Sequence, residues 1–485
     1  MKTVTIIGAG ISGLVVGVYA QRSGFKTTIL EKAANPGGIS TSWKRKGYTF
    51  EGGIHWLIGA SERNPLHNVW KDTGALSENN PVFFKDPVYT LIDGDVTLEL
   101  SRDLRSLVNF APEDRFFLGI LRFHVWCFSF FHQPMLDLPG LKVRRPKRFS
   151  LLEFIKMGPA VLLAPWLLCF SAGKYIRRFR NPYVRKLLEG VVDPGINALS
   201  LIYTLSTFYS GDSGYPEGGS LRMARNMADT FTRLGGVIRY QTPVTCVTPE
   251  GVMTAEGLVK SDAVVISVDA RTAIDKLFPS PPQDRWARKL REKLVTSQCM
   301  FAALGIRSEL SQYPRAMQLA LKKPFKAAGL CFDRISVNNY SREGEAYAPA
   351  GCTVLTSVLP GSCYEYWKKE KEEGRYAEAK KKVLEDFIEA VCSVIPEIRG
   401  KVEVTDLATP LSYQRYCDTF EGSYMSDWLP LRIPPVAPIR YRGGIYFTGQ
   451  RTSFSGGLPV AAESGRQTIQ ALCKDFGMEF VNEAE

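Results

Sequence analysis

Histidine is the scarcest reactive residue in this 485-residue chain. There are four, His55, His67, His124 and His132, and no two stand at a metal-ligand spacing. The ten cysteines fall singly, with no C-x-x-C and no cysteine–histidine cluster. That scatter excludes a zinc framework and a disulfide scaffold, so no metal is expected. Long hydrophobic runs are missing too. Arg122 and His124 interrupt the aromatic-rich stretch 116–131, and the apolar stretch 157–172, with Pro159 and Pro165 inside it, is too short to span a bilayer. The first strand begins at Thr3, which leaves no room for a secretory leader, and a cytoplasmic chain is expected. Acidic residues are in deficit: 61 Lys and Arg against 49 Asp and Glu give a net charge of +12. No helix-turn-helix or RNA-binding signature accompanies that charge, so nucleic acid is not an expected partner. Basic clusters (Lys142, Arg144, Arg145, Lys147, Arg148; then Lys174, Arg177, Arg178, Arg180) instead flank the apolar segments. The placement suggests a peripheral protein on an anionic membrane surface; a plain solvated face is the alternative.

What the chain does have is glycine at informative places. Thr3-Val4-Thr5-Ile6-Ile7 reads as a short buried strand, followed by Gly8-Ala9-Gly10-Ile11-Ser12-Gly13 and a helix. Each glycine answers a steric demand of a dinucleotide site. Gly8 permits the turn, Gly10 lets backbone approach a pyrophosphate, and Gly13 lets helix pack on strand. A second strand, Lys26-Thr27-Thr28-Ile29-Leu30, ends at Glu31, where a carboxylate can accept hydrogen bonds from ribose hydroxyls and would repel a 2′-phosphate. The fingerprint by itself leaves FAD and NAD open.

Further along, Pro36-Gly37-Gly38 and Gly52-Gly53 occupy loops where backbone could pass close to a second part of an extended cofactor. Residues 111–180 are aromatic and apolar, fitting either buried core helices or a greasy channel beside a membrane. Strand-like segments return at 237–240, 244–247 and 263–268 after a helical stretch that ends near Leu234. The charged run 367–389 reads as a solvated helix with an apolar inner face. The last block, Gly443 to Gly449 and Ser455-Gly456-Gly457-Leu458-Pro459, is a second strand, glycine loop and helix. We therefore expect an α/β fold: a Rossmann-like dinucleotide-binding domain assembled from 1–95, 215–285 and 400–485. Residues 96–214 and 286–399 would form an inserted α+β, substrate-binding and membrane-associating domain with an apolar helical region.

Four motifs together, the Gly8–Gly13 fingerprint with Glu31-Lys32, Pro36-Gly37-Gly38, Gly47-Tyr48-Thr49-Phe50-Glu51-Gly52-Gly53-Ile54-His55-Trp56, and Thr448-Gly449-Gln450 with Gly456-Gly457-Leu458-Pro459, run in order over nearly the whole chain. They resemble the phytoene desaturase-related flavoprotein family, which includes carotenoid isomerases and retinol saturases. The resemblance implies extended FAD, with Gly8, Ala9, Gly10, Ile11, Ser12 and Gly13 at the pyrophosphate and Glu31 at the adenosine ribose. It implies Val244 beside the adenine, Gly449 near the ribityl phosphate side, and Gly457, Leu458 and Pro459 at the pyrimidine end of the flavin. Lys32, Gly37, Gly38, Ile39, Ser40, Gly53, Ile54 and His55 complete the candidate cofactor set. Many family members carry arginine directly after the glycine pair; here Ile39 and Ser40 follow, and Lys32 or Arg451 are the candidate cations to replace it.

The implied chemistry is hydride exchange between flavin and a C–C or C=C bond of a lipophilic polyene, isoprenoid or lipid: desaturation, saturation or cis–trans isomerisation. NAD(P)H or a quinone is the candidate electron partner. His55 is the candidate catalytic residue, able to pass a proton at the flavin face, and a packed loop histidine is its competing reading. A flavin amine oxidase and a non-catalytic lipid or prenyl binder on the same scaffold are the alternative functions.

Overall fold

The segment Thr3–Ile7 is the middle strand of a five-stranded parallel sheet in the computed structural model, which describes residues 1–78, 80–132, 135–144 and 151–483. Arg145, Lys147 and Arg148 of the first basic cluster lie outside the described residues. The strand order is Ile445–Phe447, Ala263–Ile266, Thr3–Ile7, Lys26–Leu30, Val237–Arg239, every pair parallel. Both faces of the central strand are covered, which is why its residues read as a continuous apolar and β-branched run without polar alternation. The helix Ile11–Arg22 packs between helices Gly219–Arg233 and Leu458–Asp475, and Ile11 through Ala20 are all buried. Leu14, Val15, Val16 and Val18 are fully buried there, each worth about 1.5–3 kcal/mol of transfer free energy. The sheet thus joins three sequence-distant blocks at the carboxyl ends of its strands.

A second, seven-stranded sheet runs Val402–Ala408, Cys299–Ile306, Thr353–Pro360, Leu330–Asn339, Ala316–Ala327, Tyr89–Asp93, Val96–Leu100. Helix Tyr376–Cys392 covers one face, presenting Val383, Phe387 and Val391 at four-residue intervals to buried strand residues such as Leu304 and Leu319. Two strands correct the segment boundaries read from sequence. Tyr89–Asp93 pairs with Ala316–Ala327, and Val402–Ala408 pairs with Cys299–Ile306, so both join the seven-stranded sheet and not the parallel one. Neither segment was named as a strand from sequence, and neither carries anything that names its partner. Val244–Thr248 also stands apart, in a three-stranded antiparallel sheet. The charged run 367–389 is two helices, Tyr364–Glu372 and Tyr376–Cys392, because Gly374 turns the chain at φ +76° between them.

Helices Arg115–Phe128, Leu151–Leu167, Ala172–Ile176, Pro182–Glu189 and Ala198–Tyr209 form a third layer, sharing a core with the hairpin 89–100. Among the described residues, no helix is long and apolar enough to cross a membrane. The outer side of this layer is nonetheless apolar, with Phe116, Phe123, Trp126, Leu152, Leu162 and Trp166 exposed.

Candidate active site

The carboxyl ends of the parallel strands open on a cavity of about 1430 Å³. That exceeds the ~300–1,000 Å³ of ordinary small-ligand pockets, leaving room for an extended cofactor and a second molecule. All of the sequence-predicted cofactor residues line it except Ala9 and Gly13. Gly13 sits behind the wall: a Cβ there would lie 2.2 Å from the Gly8 carbonyl oxygen and 2.7 Å from Ser267 Oγ. Its contribution is helix-to-strand packing, not contact with a ligand. Ala9 is fully buried, and its N–H donates to Glu31 Oε2 at 2.7 Å. Gly10 is the opposite case. A Cβ on it would meet nothing within 4 Å, so the space in front of it is free for a ligand to approach the backbone.

Glu31 is 7% exposed, and its second oxygen accepts the Ala33 N–H at 2.7 Å. Burial raises its pKa, and the two N–H donors oppose that shift. One N–H per oxygen leaves a further lone pair on each for ribose hydroxyls. The helix Ile11–Arg22 begins at Gly10 with no side-chain cap, and Leu458–Asp475 begins at Gly457 likewise. Their first-turn N–H groups therefore remain available at the cavity, one pair of ends suited to phosphate and to developing negative charge. Ser40 Oγ is buried without a hydrogen-bond partner beside the same wall. An orphaned hydroxyl, two uncapped helix ends and an open glycine fit an extended dinucleotide carrying a flavin.

Neither candidate replacement for the missing arginine is free. Lys32 Nζ binds Asp418 Oδ2 at 2.5 Å and the Arg415 carbonyl at 2.9 Å. Arg451 is buried, with Nε to Asp269 Oδ2 at 3.0 Å and its two terminal nitrogens to Ser426 Oγ and Ser423 Oγ, each at 2.7 Å. Backbone N–H groups and Ser40 are what this chain offers a phosphate in place of that cation.

The loop carrying Gly53, Ile54 and His55 is held by a residue that sequence reasoning passed over. Glu51 is 1% exposed; its Oε1 accepts the Gly53 N–H at 2.9 Å, the Ile54 N–H at 3.2 Å and the Ser220 hydroxyl, while Oε2 accepts the Ser220 N–H at 2.9 Å. A Cβ on Gly53 would fall 2.4 Å from Ser220 Oγ, so the loop has no slack. His55 reaches the cavity wall, with Nδ1 3.0 Å from Asn338 Nδ2. Burial, then the charges of Lys85 and Arg315, lower its pKa to about 4. His55 is therefore neutral near pH 7 and has no imidazolium proton to give. Asn338, Ser220 and Asp269 were not singled out as site residues in the sequence, since none stands in a motif with a chemical signature. Among the described residues no group of His, Cys, Asp or Glu is arranged to hold a metal.

Beyond the loop the cavity changes character. Trp56, Ile58, Phe128, Phe131 and Leu199 line the far half, drawn from the loop and from the helical layer. Tyr89 and Tyr203 stand among them, their hydroxyls pushed to higher pKa by burial and hence protonated.

A family model described as flavin containing amine oxidoreductase matches residues 11–473. The chain belongs to that family. It is an FAD-dependent oxidoreductase, and the resemblance read from the glycine motifs is borne out by its relatives. It is 22% identical to the chloroplastic prolycopene isomerase of Daucus carota, over 98% of this chain and 80% of that protein. It is 24% identical to the lycopene-forming phytoene desaturase of Pseudescherichia vulneris, over 98% and 100%. It is 21% identical to the all-trans-retinol 13,14-reductase of Danio rerio, over 95% and 84%. In fold it resembles the cyclohexylamine oxidase of Brevibacterium oxydans, with a TM-score of 0.60 and 16% identity over 98% and 99% of the two chains.

Proposed function

We propose that this oxidoreductase exchanges hydride between FAD and a C–C or C=C bond of a lipophilic polyene, isoprenoid or lipid substrate. The observation that carries the reading is the continuity of one cavity from the dinucleotide wall into an apolar, aromatic chamber. When bound, FAD supplies the hydride acceptor or donor; saturation, desaturation and isomerisation differ in where the electrons start and end. The chain's own residues bind, orient and exclude water. Gly10, Ser40 and the start of helix Ile11–Arg22 are suited to the phosphates, Glu31 to the ribose, and the Gly53 loop and Gly457 to the flavin end. Trp56, Phe128, Phe131 and Leu199 supply a dry surface that a conjugated chain can lie against.

The outer apolar side of the helical layer supports a place on an anionic membrane surface. Phe116 is 74% exposed and Leu162 82% exposed, and Leu431 and Ile433 project where the Leu431 N–H bonds the Leu168 carbonyl. Exposed Lys156, Lys174 and Arg177 accompany them, and Arg178 stacks on the rings of Trp166, Phe170 and Tyr175. Phe128 and Ala164, from the same two helices, line the cavity, so the route from such a surface to the chamber is short.

The test is anaerobic. Purified yellow protein is reduced, mixed with polyenes and unsaturated lipids, and followed at the flavin absorbance, with NAD(P)H and quinones screened as electron partners. Flavin reoxidation coupled to loss of one C=C from the polyene, or a cis–trans change of the polyene that leaves the flavin reduced, supports the reading. Reduction by amines with peroxide release on readmitting air would instead support an amine oxidase, which the family model and the fold neighbour also suit.

A further inference from the structure

We propose that His55 works as a neutral imidazole presenting its Nε2–H to the cavity, and that Asn338 is the positioning residue that fixes this tautomer. The inference rests on reading the cavity as the flavin and substrate chamber, and it concerns how one wall of that chamber holds a proton.

Asn338 lies on strand Leu330–Asn339, opposite Ala316 on one side and Thr356 on the other, so its backbone is fixed by the seven-stranded sheet. Its side-chain amide nitrogen stands 3.0 Å from His55 Nδ1. An amide nitrogen only donates, so Nδ1 accepts, and a neutral ring then carries its proton on Nε2. Both residues line the cavity, which leaves that N–H as the ring's remaining polar group.

The surroundings oppose a second proton. Lys85 Nζ donates to the His55 carbonyl at 3.1 Å, and Arg315, ion-paired with Glu343, lies over the Tyr340 ring close behind. Burial and the Arg315 charge already push Lys85 itself well below the usual lysine range, so an imidazolium here would add positive charge to a place that resists it. The nearest carboxylate along the chain, Glu51, has its oxygens turned to the Gly53, Ile54 and Ser220 donors and not to the ring. Desolvation acts in the same direction, lowering the ring's pKa. The result is a hydrogen-bond donor that neither titrates nor reverses across the neutral range, suited to holding an acceptor atom and unsuited to shuttling a proton.

With four histidines in the chain, a ¹⁵N-histidine-labelled sample gives a spectrum simple enough to assign, His55 being the signal lost in His55→Gln. Two-bond ¹H–¹⁵N correlations on the flavin-loaded protein separate the Nε2–H tautomer, the Nδ1–H tautomer and the imidazolium. The expected result is an Nε2–H pattern unchanged between about pH 5 and pH 9. In Asn338→Asp the carboxylate calls for Nδ1–H, and the ring's titration midpoint rises by about 2 pH units. Turnover in that variant gains a pH-dependent limb that the wild type lacks. Asn338→Leu serves if the aspartate variant does not fold, and gives a mixture of tautomers. An imidazolium at pH 7, an Nδ1–H wild type, or a tautomer indifferent to both substitutions would overturn the proposal. Failure of the flavin reading shows itself separately, as a colourless preparation before any spectrum is taken.

Discussion

Glu51 shows how much one buried carboxylate organises. Four donors converge on it, and the Ile54 N–H keeps Ser220 Oγ at 2.7 Å as a second acceptor, so Glu51→Ala strands the Gly53 and Ser220 N–H groups and the Ser220 hydroxyl in a buried loop, at about 1–3 kcal/mol for each group left unmatched. Thermal unfolding and flavin retention after gel filtration check this, and both are expected to fall. Arg451→Met leaves Asp269 buried without its partner and costs about 3–5 kcal/mol by denaturant unfolding. His55 carries a pH signature. Its folded pKa of about 4 lies below the ordinary 6.5, so its contribution is complete above pH 6.5 and is lost as pH falls toward 4, where the unfolded chain takes up the proton first. The span amounts to at most about 3 kcal/mol. Unfolding curves of wild type and His55→Gln at neutral and mildly acidic pH should converge by that amount on acidification; parallel curves would refute it. The fingerprint glycines and Glu31 were legible in the sequence because their demands are local. Arg451 with Asp269 and His55 with Asn338 were not, since the partners stand 182 and 283 residues apart.

At the scale of elements, the strand–turn–helix unit has the least tolerance. Gly13→Val would drive its Cβ into the Gly8 backbone carbonyl, which no rotamer relieves because Cβ does not move with χ1. We expect insoluble or flavin-free protein from that variant, read by expression yield and visible absorbance, whereas Gly119→Ala, in open space on a helix, should behave as wild type. The five strands of the parallel sheet were legible as strands, because β-branched and apolar residues run together there; the strands of the seven-stranded sheet were not read from sequence. Tyr89–Asp93 and Val402–Ala408 found their places through long-range pairing that leaves no mark in either segment alone.

For the whole molecule, the net charge of +12 and the apolar helical layer make membrane binding a measurable expectation. Near an anionic surface each Lys or Arg contributes about 1 kcal/mol, and the effect is screened by salt. Cosedimentation with anionic vesicles should fall in high salt and in a Phe116→Ser, Leu162→Ser double variant, with flavin content unchanged; equal binding to neutral vesicles would contradict it. One feature of the parallel sheet reaches beyond equilibrium. Its edge strand Ile445–Phe447 and the Gly457 helix start close a cavity whose first wall is Gly8. During synthesis on the ribosome the wall at Gly8 is made first and waits for its counterpart until Ile445 and Gly457 have emerged. Cofactor capture is then a late event in the protein's birth, and a polypeptide that stalls before residue 445 lacks the wall that would let it retain a flavin.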